Sequence, residues 1–336
     1  MRLSEWTMKT RIIDSSGSLI SEIGFGSAGA GNLFRPVSYE DINKAVSKAE
    51  ALGIRYFDTA PHYGAGLAER RLGVALHDMP RKDIFLSTKV GRVLHADKNS
   101  VKKDADCYVE ASPFDREYDY TYDGIMRSFE DSLQRLGVSQ VDMLLMHDIG
   151  ELTHKEKNQA YFQQAVNGGF KAMSELREQG VVRNIGLGVN EWQVCDQAMD
   201  HAKFDCFMVA NCFTLLNNDI TDYFTDKCAK NQVSLIAAAP FNSGILAKGS
   251  KGLGHYFYGE APQEIVDKVI AIEAVCEQFN VSLQAAAIQY ALRYDCVKSI
   301  LIGMTNDVRV AQNIAWYEED IPEAFWLSLE GVISSR

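Results

Sequence analysis

The sequence predicts an α/β protein: a closed (β/α)₈ TIM barrel with an N-terminal hairpin and extra helices, spanning residues 1–336 as a single barrel domain. Three observations predict it. Short apolar segments alternate with amphipathic ones along the whole chain, and strict strand–helix alternation means a parallel sheet. The strand segments, such as Met143-Leu144-Leu145-Met146 and Leu235-Ile236-Ala237-Ala238-Ala239, are apolar throughout, which fits strands covered on both faces. Eight such units in 336 residues fit a barrel.

The elements follow in order. Residues 9–20 form a hairpin turning on Asp14-Ser15-Ser16-Gly17. A short strand within 21–31 ends in Gly24-Phe25-Gly26-Ser27-Ala28-Gly29-Ala30-Gly31. Ser38 caps a helix that runs through Ala45, Val46, Ala49 and Leu52 and stops at Gly53. Tyr56-Phe57 is strand, and a turn with Pro61 and Gly64 as breakers follows. Residues 66–76 are helix, with Leu67, Leu72 and Ala75 facing inward. Residues 84–89 are strand and 92–122 irregular. A helix over 123–136 carries Ile125, Phe129, Leu133 and Leu136 at helical spacing, stopped by Gly137. Residues 141–147 are strand, and a polar loop leads to a helix over 170–179 closed by Gly180. Strands over 182–190, 204–213 and 233–240 alternate with helices over 191–201 and 220–231. A glycine-rich loop over 241–259 precedes helices at 263–279 and 282–294. The last strand is 297–303, its helix 307–316, and an amphipathic segment over 322–333 ends the chain.

The competing architecture is an open doubly wound sheet, and Gly24-Phe25-Gly26-Ser27-Ala28-Gly29 matches its G-x-G-x-x-G pattern. In that fold the glycines open a helix at once. Here they run into Asn32-Leu33-Phe34-Arg35-Pro36-Val37, which reads as loop, so the barrel is preferred.

Composition narrows the function. A net charge of −11 argues against a nucleic-acid or anionic-membrane surface, because phosphate contacts need a basic footprint. Seven scattered cysteines without C-x-x-C read as reduced thiols, and no His or Cys pair has metal-ligand spacing, so no metal is expected. No apolar run follows Met1-Arg2-Leu3-Ser4-Glu5-Trp6 or approaches a membrane span, so a cytoplasmic protein is expected.

The chemistry concentrates at three successive strand ends. Asp58 and Tyr63 follow the strand at Tyr56, Lys89 closes the next, and His147 the one after. Ligands of parallel α/β proteins bind at carboxyl strand ends. A tyrosine becomes a useful acid or base when its pKa falls from about 10 toward neutrality, which a nearby ammonium promotes. Lys89 supplies that ammonium, Asp58 its partner, and His147 a hydrogen bond to a substrate oxygen. Taken singly, Asp58 would be a turn residue, Tyr63 a loop aromatic, Lys89 a solvated strand end and His147 a satisfied core histidine. Taken jointly they form a set that moves a proton on or off an oxygen, the usual companion of nicotinamide hydride transfer. The aromatic residues of the 92–122 stretch, Tyr108, Phe114, Tyr118, Tyr120 and Tyr122, suggest a lid suited to a sugar or pyridine ring.

These residues, with Asp58-Thr59-Ala60, Tyr63-Gly64, Ser87-Thr88-Lys89, His147, Ile185-Gly186-Leu187-Gly188-Val189-Asn190, and Arg309 with Asn313, are similar to the aldo-keto reductase family along nearly the whole chain. The runs from Asp119 to Gly137, His147-Asp148-Ile149-Gly150, Phe213-Thr214-Leu215-Leu216 and Pro240-Phe241-Asn242-Ser243-Gly244-Ile245-Leu246 resemble its sugar-oxidising branch. The resemblance implies Tyr63 as general acid or base, Lys89 as the group that lowers its pKa, Asp58 as the holder of Lys89, and His147 on the substrate oxygen. It implies NAD or NADP on Gly26, Ser27, Asn190, Phe241, Ser243, Gly244, Leu246, Gly303, Thr305, Arg309 and Asn313. It implies substrate contacts from His62, Asp148 and Phe213. The substrate would be a small molecule: an aldose of the L-fucose (D-threo) or L-galactose kind oxidised at C1 to a lactone, or a pyridoxal-like hemiacetal. A general carbonyl reductase and a nucleotide-sensing subunit of the same fold are the alternatives.

The chain departs from the family at four places. Val189 precedes Asn190 where many relatives have serine. Ala238 stands where a tyrosine stacks on the nicotinamide. Ala210-Asn211-Cys212-Phe213 replaces a Gly-Arg-Tyr run. Gly303 replaces a lysine that meets the 2′-phosphate of NADP, which favours NAD.

Overall fold

Eight parallel strands close on themselves in a computed structural model that describes residues 8–99, 107–220, 223–252, 254–257 and 259–333. In chain order they are β1 (Ile23–Gly26), β2 (Tyr56–Asp58), β3 (Phe85–Val90), β4 (Val141–His147), β5 (Val182–Val189), β6 (Cys206–Ala210), β7 (Ser234–Ala238) and β8 (Val297–Gly303). Each pairs with its successor, and β8 pairs with β1 to complete the ring. Closure removes every sheet edge. The predicted barrel is therefore the fold, and the glycines of β1 do not open a dinucleotide-type helix. They lead into a single 3₁₀ turn, Ala28–Gly31.

Two apolar layers follow from strand alternation. One face of each strand points into the barrel, where Tyr56, Phe85, Met143, Leu145, Met208, Ile236 and Leu301 pack together. The other face, with Phe57, Leu86, Leu144 and Ile185, packs under the helices. The predicted hairpin is present as Thr10–Ile12 paired with Leu19–Ser21. It stoppers the amino end of the barrel: Ile13 and Ile20 join the interior cluster, and Ser234 Oγ donates to the Ile13 carbonyl. Arg11 ties the same hairpin to the Val297 and Leu292 carbonyls.

The helices begin and end where their caps demand. The Ser38 side chain accepts from the Asp41 backbone N–H at the start of Tyr39–Ala51. Thr121 does the same for Tyr122–Leu136, which ends on Gly137 in the left-handed region. Ser282 and Asn306 cap Leu283–Gln289 and Asp307–Tyr317 in the same way. The helix after β2 is Leu67–Ala75, with Ala68, Glu69 and Leu72 as its buried positions. Leu67 and Ala75, expected inside, are only half-buried.

Three segments differ from expectation. The stretch 92–122 is not irregular throughout: Arg92–Ala96 pairs antiparallel with Phe114–Tyr118 above the barrel mouth. Residues 100–106 of this stretch lie outside the described residues. The polar loop after β4 is helical, running through Glu151–His154, Asn158–Gln164 and a π turn at Ala165–Gly169 into Phe170–Glu178. The loop 241–259 holds a short helix, Ile245–Lys248, and a two-residue ladder between His255–Tyr256 and Gly259–Glu260. Several elements are also shorter than expected. The helix read over 191–201 is Gln193–Ala198, and the strand read over 204–213 is Cys206–Ala210. Residues 221 and 222 of the helix expected over 220–231 lie outside the described set, and its described part is Tyr223–Lys230. No described helix is long and apolar enough to cross a membrane.

Candidate active site

Strand periodicity delivers the side chains. Tyr56, Phe85, Met143 and Leu145 face the barrel interior. Side chains two positions apart share a face, so Asp58, Ser87, Lys89 and His147 point inward at the carboxyl end. The register aligns them further, with Asp58 beside Ser87 and Lys89 beside Leu145.

Tyr63 is placed by backbone contact. Gly64 adopts φ +63°, and a Cβ there would run into the Gly31 carbonyl; a Cβ on Gly31 would lie 2.5 Å from the Tyr63 carbonyl carbon. Only two glycines allow this approach. It presses the turn after β2 against the loop after β1 and holds the Tyr63 ring over the barrel mouth.

The four expected residues meet. Lys89 Nζ donates to Asp58 Oδ2 at 2.6 Å, to the Thr59 carbonyl at 3.0 Å and to the Tyr63 hydroxyl at 3.0 Å. Ser87 Oγ donates to the other oxygen of Asp58 at 2.7 Å. The His147 ring stands edge-on to the Tyr63 ring at 5.7 Å and to the His62 ring at 5.8 Å. Burial pushes the Asp58 carboxyl up, while Lys89 and Ser87 pull it back. Burial, Arg92 and Lys89 hold His147 well below the ordinary imidazole value, and burial, Arg92 and the His147 ring do the same to His62. Both rings are therefore neutral at pH 7.

A second set sits beside His147. Asp148 Oδ2 accepts from Arg92 Nη2 at 2.8 Å and lies 3.5 Å from His147 Nε2. Asp148 Oδ1 accepts from Asn190 Nδ2 at 3.1 Å, and Asn190 Oδ1 accepts from Asn211 Nδ2 at 3.1 Å. Tyr120, fully buried, donates to the His147 carbonyl at 2.8 Å and meets His154 Nε2 at 2.9 Å.

The carboxyl end of the barrel holds a cavity of about 590 Å³. Of the expected site residues, Asp58, His62, Tyr63, Lys89, His147 and Asp148 line it, and so do Gly26, Asn190, Phe241, Ser243, Gly244 and Gly303. Thr305, Arg309 and Asn313 lie beyond Gly303, at the start of Asp307–Tyr317 and along it. Ser27 and Leu246 are fully buried behind the wall. Phe213, expected to touch substrate, does not line the cavity. It is buried with its ring 4.8 Å from that of Tyr294, because the chain turns outward after Ala210 and takes Phe213 into the packing around the helices. Of the lid aromatics only Tyr108 lines the cavity. Tyr118 packs on Arg92, Tyr120 holds His147, and Tyr122 donates to Glu175.

The residues the sequence reading passed over are Arg92 and Arg35. Arg35 Nη2 lies 3.4 Å from Thr305 Oγ1, on the rim beside Gly303. Arg92 carried a readable signal, since it stands three residues after Lys89 at the same strand end. Arg35 carried none, because its contact is made 270 residues away.

The groove fits a dinucleotide. Gly303 is exposed at the rim, and a side chain there would meet nothing within 4 Å. Asn242, Ser243 and Gly244 are successive positive-φ residues of a tight turn, in which the Asn242 and Gly244 N–H groups donate to the Ala239 and Phe241 carbonyls and Ser243 and Gly244 line the groove. The Asp307–Tyr317 helix adds its N-terminus.

Comparison with known proteins agrees with this geometry. The family model of the aldo/keto reductases matches residues 22–333. A pyridoxal 4-dehydrogenase of Microbacterium luteolum is 38% identical over 96% of this chain and 98% of its own. A D-threo-aldose 1-dehydrogenase of a Pseudomonas species is 36% identical over 94% of each. An L-galactose dehydrogenase of Arabidopsis thaliana is 28% identical over 92% of this chain and 88% of its own. Among solved structures, an aldo-keto reductase of Bacillus halodurans in its holo form superposes with a TM-score of 0.77 at 20% identity, over 98% of this chain and 97% of its own.

Proposed function

The chain belongs to the aldo/keto reductase family, an NAD(P)-dependent oxidoreductase by that membership, and we propose that it oxidises a ring hemiacetal to a lactone with NAD. The substrates put forward are aldoses of the L-fucose (D-threo) or L-galactose kind, reacting at C1, and pyridoxal. One observation carries the reading: Lys89 Nζ sits between the Asp58 carboxylate and the Tyr63 hydroxyl inside the cavity. The names of relatives that match nearly the whole chain support the substrate class.

An ammonium 3.0 Å from a phenol oxygen favours release of the phenol proton. Tyr63 then takes the proton of the substrate hydroxyl as the carbon is oxidised, and returns it in the reverse direction. Asp58 pairs with Lys89 and fixes its direction. His147, neutral, donates a hydrogen bond to the same substrate oxygen. His62 faces the remaining ring hydroxyls, and Asp148, with its two oxygens held by Arg92 and Asn190, lines the cavity beside them. Bound in the groove, the nicotinamide supplies the hydride acceptor. Asn190 would hold its carboxamide, with Gly26 and Ser27 behind it. Phe241, Ser243, Gly244 and Leu246 would cradle the pyrophosphate, and Gly303, Thr305, Arg309 and Asn313 the adenosine end. Gly303 carries no cation to meet a 2′-phosphate, which favours NAD; the cations at that rim are Arg35, on Thr305 Oγ1, and Arg309, exposed with Nη1 on Gln312.

The test is reduction of NAD and of NADP against L-fucose, L-galactose, D-arabinose, pyridoxal and a simple alcohol. Turnover with one ring hemiacetal and not with the alcohol is expected, with NAD the better acceptor. Tyr63→Phe should lower kcat by roughly 10²–10⁴-fold while the dissociation constant of the cofactor stays within about twofold. Full activity in that variant would remove Tyr63 from the mechanism.

A further inference from the structure

The Arg92–Asp148 pair has no part in the proton transfer just described, yet it is buried beside the residue that holds the substrate oxygen. Arg92 leaves the barrel just past β3, and its side chain is 5% exposed. It donates to Asp148, donates to the Tyr118 hydroxyl at 3.0 Å, and lies 4.6 Å from the centre of the Tyr118 ring. Asp148 has φ +49°, a backbone form that non-glycine residues adopt rarely. That turn brings its carboxylate back alongside His147 rather than out to solvent. Both carboxylate oxygens are engaged, one by Arg92 and one by Asn190.

We infer that Asp148, clamped by Arg92, is a positioning residue that fixes His147 as the neutral tautomer with its proton on Nε2. The inference rests on the reading of His147 as the group that hydrogen-bonds the reacting oxygen.

Two features of the geometry select the tautomer. A carboxylate oxygen 3.5 Å from Nε2 repels a ring lone pair there and attracts an N–H. At the far side of the ring, Nδ1 is buried with no hydrogen-bond partner among the described residues. A proton on Nδ1 would be a buried donor with no acceptor while a lone pair faced the carboxylate at Nε2, and both cost free energy. Moving the proton to Nε2 removes both penalties. The ring is then a donor from the nitrogen beside Asp148, the donor an oxygen at C1 requires.

Arg92 completes the arrangement. An unpaired carboxylate beside His147 would draw a second proton onto the ring and make an imidazolium. Arg92 cancels that pull. The groups that face His147 are Asp148 on its own strand end, Lys89 and Arg92 from β3 and the segment after it, His62 and Tyr63 from the turn after β2, and Tyr120 from beyond the mouth hairpin. Two of these are cations and one an anion close to the ring, so the neutral form is favoured. Asp148 also holds Asn190 Nδ2, so the same carboxylate sets two polar groups around one reaction centre.

The decisive measurement is the ¹⁵N spectrum of the histidine rings in the selectively labelled full chain, with His147 assigned by its loss in His147→Gln. Wild-type His147 is expected to show a protonated Nε2 and a bare Nδ1, unchanged from pH 5.5 to 9. In Asp148→Asn the preference should be lost, with proton density appearing on Nδ1. Its kcat should fall on the order of 10²-fold, with the substrate KM and cofactor dissociation constant within about twofold. Arg92→Met should raise the pH at which His147 takes up a proton, and Arg92→Lys, which keeps the cation, should restore the flat profile. A wild-type proton on Nδ1, or a charged ring at pH 7, overturns the inference, and that spectrum needs no variant to fold. An unchanged tautomer in Asp148→Asn with a raised substrate KM also overturns it, and makes Asp148 a substrate ligand. The ring spectrum is read without turnover, so its failure stands apart from failure of the proposed oxidation, which Tyr63→Phe reports.

Discussion

At the residue scale the site is one buried ion pair with a phenol at its end. Lys89 and Asp58 are both nearly inaccessible, at 1% and 0%. A buried pair broken by removal of one partner leaves the other charge uncompensated. Lys89→Met therefore does two things. It leaves the buried Asp58 with Ser87 as its side-chain donor and no cation, which drives that carboxyl further toward its protonated form, and it removes the charge that favours the Tyr63 phenolate. Since oxidation needs the base form, the rate should fall by orders of magnitude and the remaining kcat/KM should rise toward higher pH than in the wild type. A pH–rate profile checks this, and a profile with an unshifted rise would rule out Lys89 as the tuning group. The meeting of Asp58, Tyr63, Lys89 and His147 was legible in the sequence because each stands at or just past the end of a recognisable apolar strand. Phe213 was misread for the complementary reason. β6 stops at Ala210 and the chain turns away, and nothing local in Asn211-Cys212-Phe213 announces that turn.

At the scale of elements, what the sequence revealed depended on whether the signal was local. Strands buried on both faces and helices with caps were legible, down to Gln263–Phe279 and Val297–Gly303. The hairpin at the mouth was not. Arg92 pairs with Tyr118 across 26 residues, and the second strand alternates half-buried and exposed around charged side chains. The segment after β4 was read as loop because its helical turns carry no continuous apolar stripe and change from α to 3₁₀ to π along their length. Two predictions belong here. Ser38→Ala removes the acceptor of the Asp41 N–H and should cost about 1 kcal/mol in denaturant unfolding, with activity unchanged. Tyr108, reached through the hairpin, lies with its ring 6.2 Å from that of Tyr63 and walls the cavity. Tyr108→Ala should raise the substrate KM several-fold and leave cofactor binding as it was. An equal loss in both would mean that Tyr108 supports the whole groove rather than the substrate end.

At the scale of the whole molecule, burial of neutral histidines makes stability depend on pH in a direction that can be worked out. His62 and His147 are held well below 6.5, and burial, with Arg92 nearby, brings His154 down to about 4. Between those depressed values and 6.5, the unfolded chain binds protons that the folded chain does not. Stability therefore rises with pH across that window and is lost as the pH falls below about 6.5, at up to about 1.4 kcal/mol per pH unit for each ring that stays neutral. Asp58 acts in the opposite sense, because its folded pKa is raised: it binds a proton in the folded state before the unfolded one does, and so adds stability as the pH drops toward 4. Glu191, also raised by burial, acts in the same sense as Asp58, and two carboxyls against three histidines leave the net slope positive between pH 5 and 6.5. Thermal unfolding at pH 7.5, 6.0 and 5.0 should show a falling Tm. His154 lies outside the cavity and meets Tyr120 Oη through Nε2, so His154→Gln can keep that hydrogen bond without a titrating ring. That variant should unfold with a flatter pH dependence than the wild type. Equal slopes in the two proteins would mean that His154 takes up its proton in the folded state, and that its burial against Tyr118, Tyr120 and Tyr161 is not what keeps it neutral.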